Sequence, residues 1–288
     1  MNKITSITLV GVAINISLGF IKIIVGIFAS SQALIADGIH SFSDLVSDAA
    51  VIIGAKFWTL PADDSHPYGH GRIETLVNIF IGLLILTVGI GIGWNSLKAV
   101  SIDKNLNPPG WSALFVALLS VLVKEILYRW NAKWGTKLRS RALIANGWHH
   151  RSDAFSSLPV AVAVVAGQIF PGLVYLDQIA AMIVAVMIIY ASWGVMSPSF
   201  KELLEARESE NLEADIIAMG ETNPEIREIH KIRSRRIGGA ILIDFHLLVH
   251  PEMSVEKAHD IAEDLKDKIK KEKDEIIDII VHVEPHKS

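Results

Sequence analysis

Runs of apolar residues long enough to cross a lipid bilayer constrain this chain more than any other feature. A spanning helix needs about 20 mostly apolar residues, and segments 8–28, 34–58, 73–94, 111–130, 143–170 and 173–193 each supply them. Trp58, Trp94, Trp111, Trp130, Trp134, Trp148 and Trp193 fall near segment ends, at the depth amphipathic rings favour. A hydrophobic share of 51% alongside 20% charged residues suits a chain divided between lipid and water. The expected division is a transmembrane part over 1–200 and a water-exposed part over 201–288.

Lysine and arginine set the orientation. Arg129, Lys133, Lys137, Arg139 and Arg141 cluster around the loop after the fourth segment, whereas the loops after the first and fifth carry no basic residue. Lys56 and Arg72 edge the second loop, with Lys98 and Lys104 in the third. The even-numbered loops and both termini are therefore expected in the cytoplasm of a multi-pass protein of the cell inner membrane. The first apolar run starts almost at Met1 with no clear cleavage site, and reads as a retained helix.

Net charge and cysteine content narrow the partners. A formal charge of -4 argues against nucleic acid. With 0 cysteines, any metal must be held mainly by His, Asp and Glu.

Those residue types occur where lipid disfavours them. In the second segment Asp37, His40, Asp44 and Asp48 recur every three or four residues and so share one helix face. Each such charge costs roughly 2.5–3.5 kcal/mol at the centre of a spanning helix, so water, a partner or a bound cation must offset it. The fifth segment repeats the spacing with His149 and Asp153. Two facing His-x-x-x-Asp helices bring together His40, Asp44, His149 and Asp153, a four-ligand set suited to tetrahedral zinc at about 2.0–2.2 Å per bond. Asp37 reads as a polar residue near a helix start, and His150 as a neighbour that either backs the ligands or faces away from the metal rather than a ligand itself. Asp48 could guide ions, relay protons or simply be solvated.

From Lys201 onward the pattern is that of a soluble domain. Residues 208–219 read as a helix, 227–235 and 240–249 as strands around Gly238-Gly239, and 276–283 as a third strand. Ser254 is placed to cap a helix running to about Lys271. The order α-β-β-α-β fits a small α+β domain of the ferredoxin-like kind. His230, His246, His250, His259, His282 and His286 lie here, more than half of the chain's 11 histidines. His282 and Glu284, two apart on a strand, share one side.

Together these motifs resemble the cation diffusion facilitator family over nearly the whole chain. The stretch Pro61-Ala62-Asp63-Asp64-Ser65-His66-Pro67-Tyr68-Gly69-His70-Gly71-Arg72 is similar to the family's P-A-D-D-x-H-x-x-G-H-G-K/R loop. The resemblance implies a homodimer of the bacterial zinc/iron type that exports a divalent metal in exchange for protons, with His40, Asp44, His149 and Asp153 as the transport site. His40, where many members carry Asp, resembles the zinc-preferring pattern. The resemblance further implies a loop metal site at Asp63, His66 and His70. It also implies a cytoplasmic metal site at His230, His246, His259, His282 and Glu284, with Glu284 where members commonly have Asp. His250 and His286 are expected as plain surface histidines. The family's link between the third span and the soluble domain would be Arg72 with Glu205.

The functional expectation is a metal efflux carrier, no enzyme, with zinc as cargo and as a structural or regulatory ion, and protons as counter-ion. Iron, cadmium and manganese stay open as cargo, as does a membrane metal sensor that binds without transporting. An intramembrane metalloprotease is disfavoured because no H-E-x-x-H motif occurs.

Overall fold

A computed structural model describes residues 3–102, 107–138, 140–208 and 210–286; the side chains of 3–5, 44, 46–53, 55, 102, 141, 142, 171 and 210 are outside the described set. The chain divides into two compact units, one made of Met1–Val51 with Phe80–Val195, the other of Ile52–Ile79 with Met196–Ser288.

The first unit is helical. Its helices are α1 (Lys3–Phe28), α2 (Gln32–Trp58), α3 (Arg72–Ile102), α4 (Trp111–Lys137), α5 (Arg141–Ala154), α6 (Ser157–Ile169) and α7 (Leu176–Leu203), the ends of α2, α3 and α7 belonging to the second unit. Among the described residues, five stretches are long and apolar enough to cross a membrane: Ser6–Phe28, Arg72–Ser101, Trp111–Lys137, Leu143–Ile169 and Leu176–Leu203. Helix α2, at 27 residues, has the length of a span but carries Asp37, Asp44 and Asp48 within a few turns.

The fifth span departs from the single helix expected over 143–170. It breaks between α5 and α6 at Phe155 and Ser156. Pro159 explains the break: it has no N–H to donate to the Phe155 carbonyl four residues back, and its ring crowds that carbonyl. Leu158 N donates to it instead, at 3.3 Å, and Ser156 N donates to Asp153 O at 3.2 Å.

Ser31 opens α2, its Oγ accepting from Leu34 N at 3.1 Å. Asp177 of α7 reinforces that end by accepting from the Ser31 hydroxyl and Gln32 N, both at 2.7 Å. Gly38 lets α1 and α2 approach closely: a Cβ there would stand 2.7 Å from Ile23 Cγ1 and 3.1 Å from Lys22 Cβ. Small residues commonly permit such helix contacts in membranes.

In the second unit, α8 (Glu210–Glu221) precedes β1 (Glu228–Ile237), β2 (Ala240–Val249), α9 (Val255–Glu272) and β3 (Ile276–Pro285). This is the expected order, and Ser254 caps α9 by accepting from Lys257 N at 3.2 Å. The sheet has three strands in the order β1-β2-β3, β1 antiparallel and β3 parallel to β2. Relative to the β-α-β-β-α-β ferredoxin-like pattern, the opening strand is missing among the described residues. Alternate β2 residues Ile241, Ile243, Phe245, Leu247 and Val249 join Ile216 of α8 and Ile261, Leu265 and Ile269 of α9 in one core. The period of two turns the intervening residues to the opposite face.

Candidate metal sites

The spanning unit holds a buried polar network wider than the His-x-x-x-Asp pairs. Asp37 is fully buried and is more than a residue at a helix start. Its Oδ2 lies 2.8 Å from Lys22 Nζ of α1, and the hydroxyls of Ser156 and Ser157 donate to its two oxygens at 2.6 Å each. Lys22 Nζ also donates to Ser157 Oγ at 3.2 Å and Ser41 Oγ at 3.4 Å. An ammonium with three N–H groups thus meets three acceptors. The close approach at Gly38 brings Lys22 to Asp37, and the α5–α6 break presents the two serines.

Asp153 lies in the last turn of α5 beside that break, 6% exposed. Its Oδ2 is 3.2 Å from Lys124 Nζ of α4, itself buried. Its Oδ1 is 3.8 Å from Nδ1 of His149, one turn earlier on the same helix. Two ligands of one tetrahedral zinc stand roughly 3.4 Å apart, so His149 and Asp153 come near that spacing. His149 is 51% exposed at its side chain, whereas His40 is buried with Nδ1 unpartnered among the described residues. His40, His149 and Asp153 do not close into a three-ligand cluster. The side chains of Asp44 and Asp48 lie outside the described residues. His150 turns inward, both ring nitrogens buried and unpartnered among the described residues, and meets α1 where a Cβ on Gly11 would lie 3.3 Å from its Nε2.

The loop between α2 and α3 draws Asp63, His66 and His70 together, with ligand atoms within 4.8 Å of one another. Asp63 Oδ1 accepts from His66 N at 2.7 Å, Ser65 Oγ at 2.8 Å and Ser65 N at 2.9 Å. The Ser65 hydroxyl and then the His66 backbone N–H outweigh slight desolvation and hold the Asp63 carboxyl at a pKa of about 2. His70 Nδ1 lies 3.2 Å from the Pro61 carbonyl. That contact calls for a proton on Nδ1 and leaves the Nε2 lone pair, 3.4 Å from Asp63 Oδ2, for a metal. Gly69, at φ +80°, supplies the left-handed turn that returns His70 toward Asp63. Two imidazoles and a carboxylate are a donor set suited to zinc.

On the helix-free face of the sheet three histidines form a row. His230 pairs with His246 across β1 and β2, and His246 with His282 across β2 and β3. Glu284 ties the row together: its Oε1 is 2.8 Å from His246 Nδ1 and 3.4 Å from His282 Nε2, and its Oε2 is 3.5 Å from His230 Nε2. The longer glutamate arm therefore reaches the histidines. Burial opposes its charge, but the His246 hydrogen bond and the neighbouring cations prevail and keep its pKa below the ordinary value. His230, His246 and Glu284 form the three-ligand cluster, with ligand atoms within 4.8 Å. His282 is exposed at its edge, and His259 and His250 line a cavity with Glu284 outside the cluster.

In the same unit Arg72 Nη2 and Glu205 Oε1 lie 3.4 Å apart, as the sequence resemblance implied. Beside them Glu202 Oε1 accepts from the Thr75 hydroxyl at 2.6 Å and from Gly238 N at 2.8 Å.

Sequence reasoning missed Lys22, Lys124, Ser156 and Ser157. The available signal was a lysine inside each of two spans, Lys22 in 8–28 and Lys124 in 111–130, since intramembrane charges face partners rather than lipid.

Comparison with known proteins covers both units. Residues 8–204 match the family model of the cation efflux transmembrane domain, and 209–286 that of the cation efflux protein cytoplasmic domain. The chain is 32% identical to the manganese efflux system protein MneP of Bacillus subtilis, over 97% of this chain and 95% of that protein. It is 33% identical to metal tolerance protein C1 of Arabidopsis thaliana over 96% of its own length, spanning 61% of the plant protein. Among solved structures, the metal-bound C-terminal domain of the CzcD transporter from Thermotoga maritima is 33% identical over 26% of this chain and 87% of that chain, with a TM-score of 0.26.

Proposed function

The chain belongs to the cation diffusion facilitator family, and from that premise we propose that it exports a divalent metal ion from the cytoplasm in exchange for protons. The proposed carrier is a homodimer in the cell inner membrane, with six spans over 1–200, α2 as the sixth, and an appended cytoplasmic domain over 201–288. The observation that carries this reading is Asp153, a carboxylate buried in a spanning helix, with His149 Nδ1 3.8 Å from its Oδ1. His40 and Asp44 on α2 complete the proposed transport site.

The mechanism is alternating access. Facing the cytoplasm, deprotonated His40, Asp44, His149 and Asp153 take the metal; facing outward, protons compete for the same atoms. Histidine suits this exchange because its unperturbed pKa of about 6.5 lies near physiological pH. The loop and sheet clusters are proposed as further metal sites, the sheet cluster with His259 and His282 as outer donors.

Zinc is the first proposed cargo because imidazole nitrogens favour it over harder ions. A manganese reading has its own support in the name of the Bacillus subtilis relative. Uptake into inside-acidic everted membrane vesicles separates the two. Zinc uptake that excess manganese leaves unchanged supports the zinc carrier, and manganese uptake unaffected by zinc transfers the mechanism to manganese. Metal binding without uptake of either ion would instead identify a sensor.

A further inference from the structure

Two buried lysines serve the carboxylates of the spanning unit in different ways. Lys22 is held by Asp37, Ser41 and Ser157, one acceptor for each N–H. Lys124 has one anchoring contact among the described residues, Asp153 Oδ2 at 3.2 Å. A flexible four-carbon stem carries its ammonium, so it can leave that oxygen without moving α4. A buried carboxylate without a counter-charge is strongly disfavoured, and Lys124 provides that counter-charge when Asp153 holds no metal.

We propose that Lys124 is a tethered counter-cation of the transport site: it occupies Asp153 in the metal-free protein, yields to the arriving metal and takes the carboxylate back as the metal leaves. It is a positioning residue that acts through Asp153, and the inference rests on the reading of Asp153 as a transport ligand. The charges give the consequence. A divalent ion neutralises the two carboxylates Asp44 and Asp153, and the Lys124 ammonium then leaves the loaded site net positive. Lys124 therefore weakens binding and speeds release, which suits a carrier that must let go of its cargo.

The test is zinc binding to the purified full-length chain, with Asp63→Ala and His246→Ala removing the loop and sheet clusters. In that background Lys124→Met should bind zinc at least about 10-fold more tightly. Lys124→Arg should bind more weakly, because a guanidinium grips a carboxylate with two parallel hydrogen bonds. In vesicle flux Lys124→Met should lower KM and kcat together. A purely structural lysine would make both variants bind zinc more weakly. Unchanged or weaker binding by folded Lys124→Met overturns the proposal; if that variant does not fold, Lys124→Arg with unchanged affinity overturns it. Asp153→Ala is the control for the site itself. Zinc binding that survives this substitution removes Asp153 from the transport site, and the role of Lys124 falls with it.

Discussion

Lys22 and Asp37, a fully buried ion pair, are sensitive to single substitutions. Removing one partner of a buried ion pair costs about 3–5 kcal/mol, whereas replacing both with apolar residues is often far milder. Lys22→Met or Asp37→Asn should each lower stability by about that amount, and Lys22→Met with Asp37→Leu should recover most of it. Unfolding of the detergent-purified chain measures this, and a double variant as unstable as the sum of the singles would contradict it. At Asp63 the sign of the pH effect follows from its depressed pKa. The bonds from Ser65 and His66 favour the ionised form, so their contribution is present above the ordinary Asp value of about 3.9. It is lost progressively as pH falls from that value through about 2. The amide shifts of Ser65 and His66 should therefore titrate with a midpoint near 2, and a midpoint at the ordinary value would dismiss the turn. The i, i+4 pairing of His149 with Asp153 was legible in the sequence because helix geometry alone imposes it. The partners of Asp37 were not, because they come from α1 and the α5–α6 break, and no local spacing encodes which helix packs beside which.

At the scale of elements, the strands and helices of the appended domain were readable to within a few residues. Alternation fixes which β2 residues face α8 and α9, and Ser254 marks the start of α9. The row His230–His246–His282 needed the register between strands, which the residues on each strand do not reveal singly. The break in the fifth span was not read from the sequence, although Pro159 was its visible cause. Pro159→Ala should restore the missing N–H to the Phe155 carbonyl and straighten α5 into α6. Straightening would withdraw the Ser156 and Ser157 hydroxyls from buried Asp37, so the variant should melt lower. It should also transport at least about 10-fold more slowly, because the serines that hold Asp37 and the turn that ends at Asp153 depend on the break. Stability and flux that rise together would contradict the functional role given to this break.

At the scale of the whole molecule, one chain carries a proposed spanning transport site and two candidate metal clusters outside the spans. Zinc at the sheet cluster is expected to tighten the proposed homodimer, and His246→Ala should reduce zinc-dependent dimer association of the full-length chain by about 10-fold or more. Sedimentation with and without zinc reads that change, and zinc-independent association in the unsubstituted protein would remove the cluster from dimer control. The central claim is that the site built on Asp153 carries metal out and protons in. Its most direct test is zinc flux into sealed proteoliposomes under an imposed pH gradient, comparing the unsubstituted protein with Asp153→Ala. Gradient-driven uptake that Asp153→Ala abolishes is the predicted result; uptake that survives Asp153→Ala, or that ignores the gradient, would contradict the account.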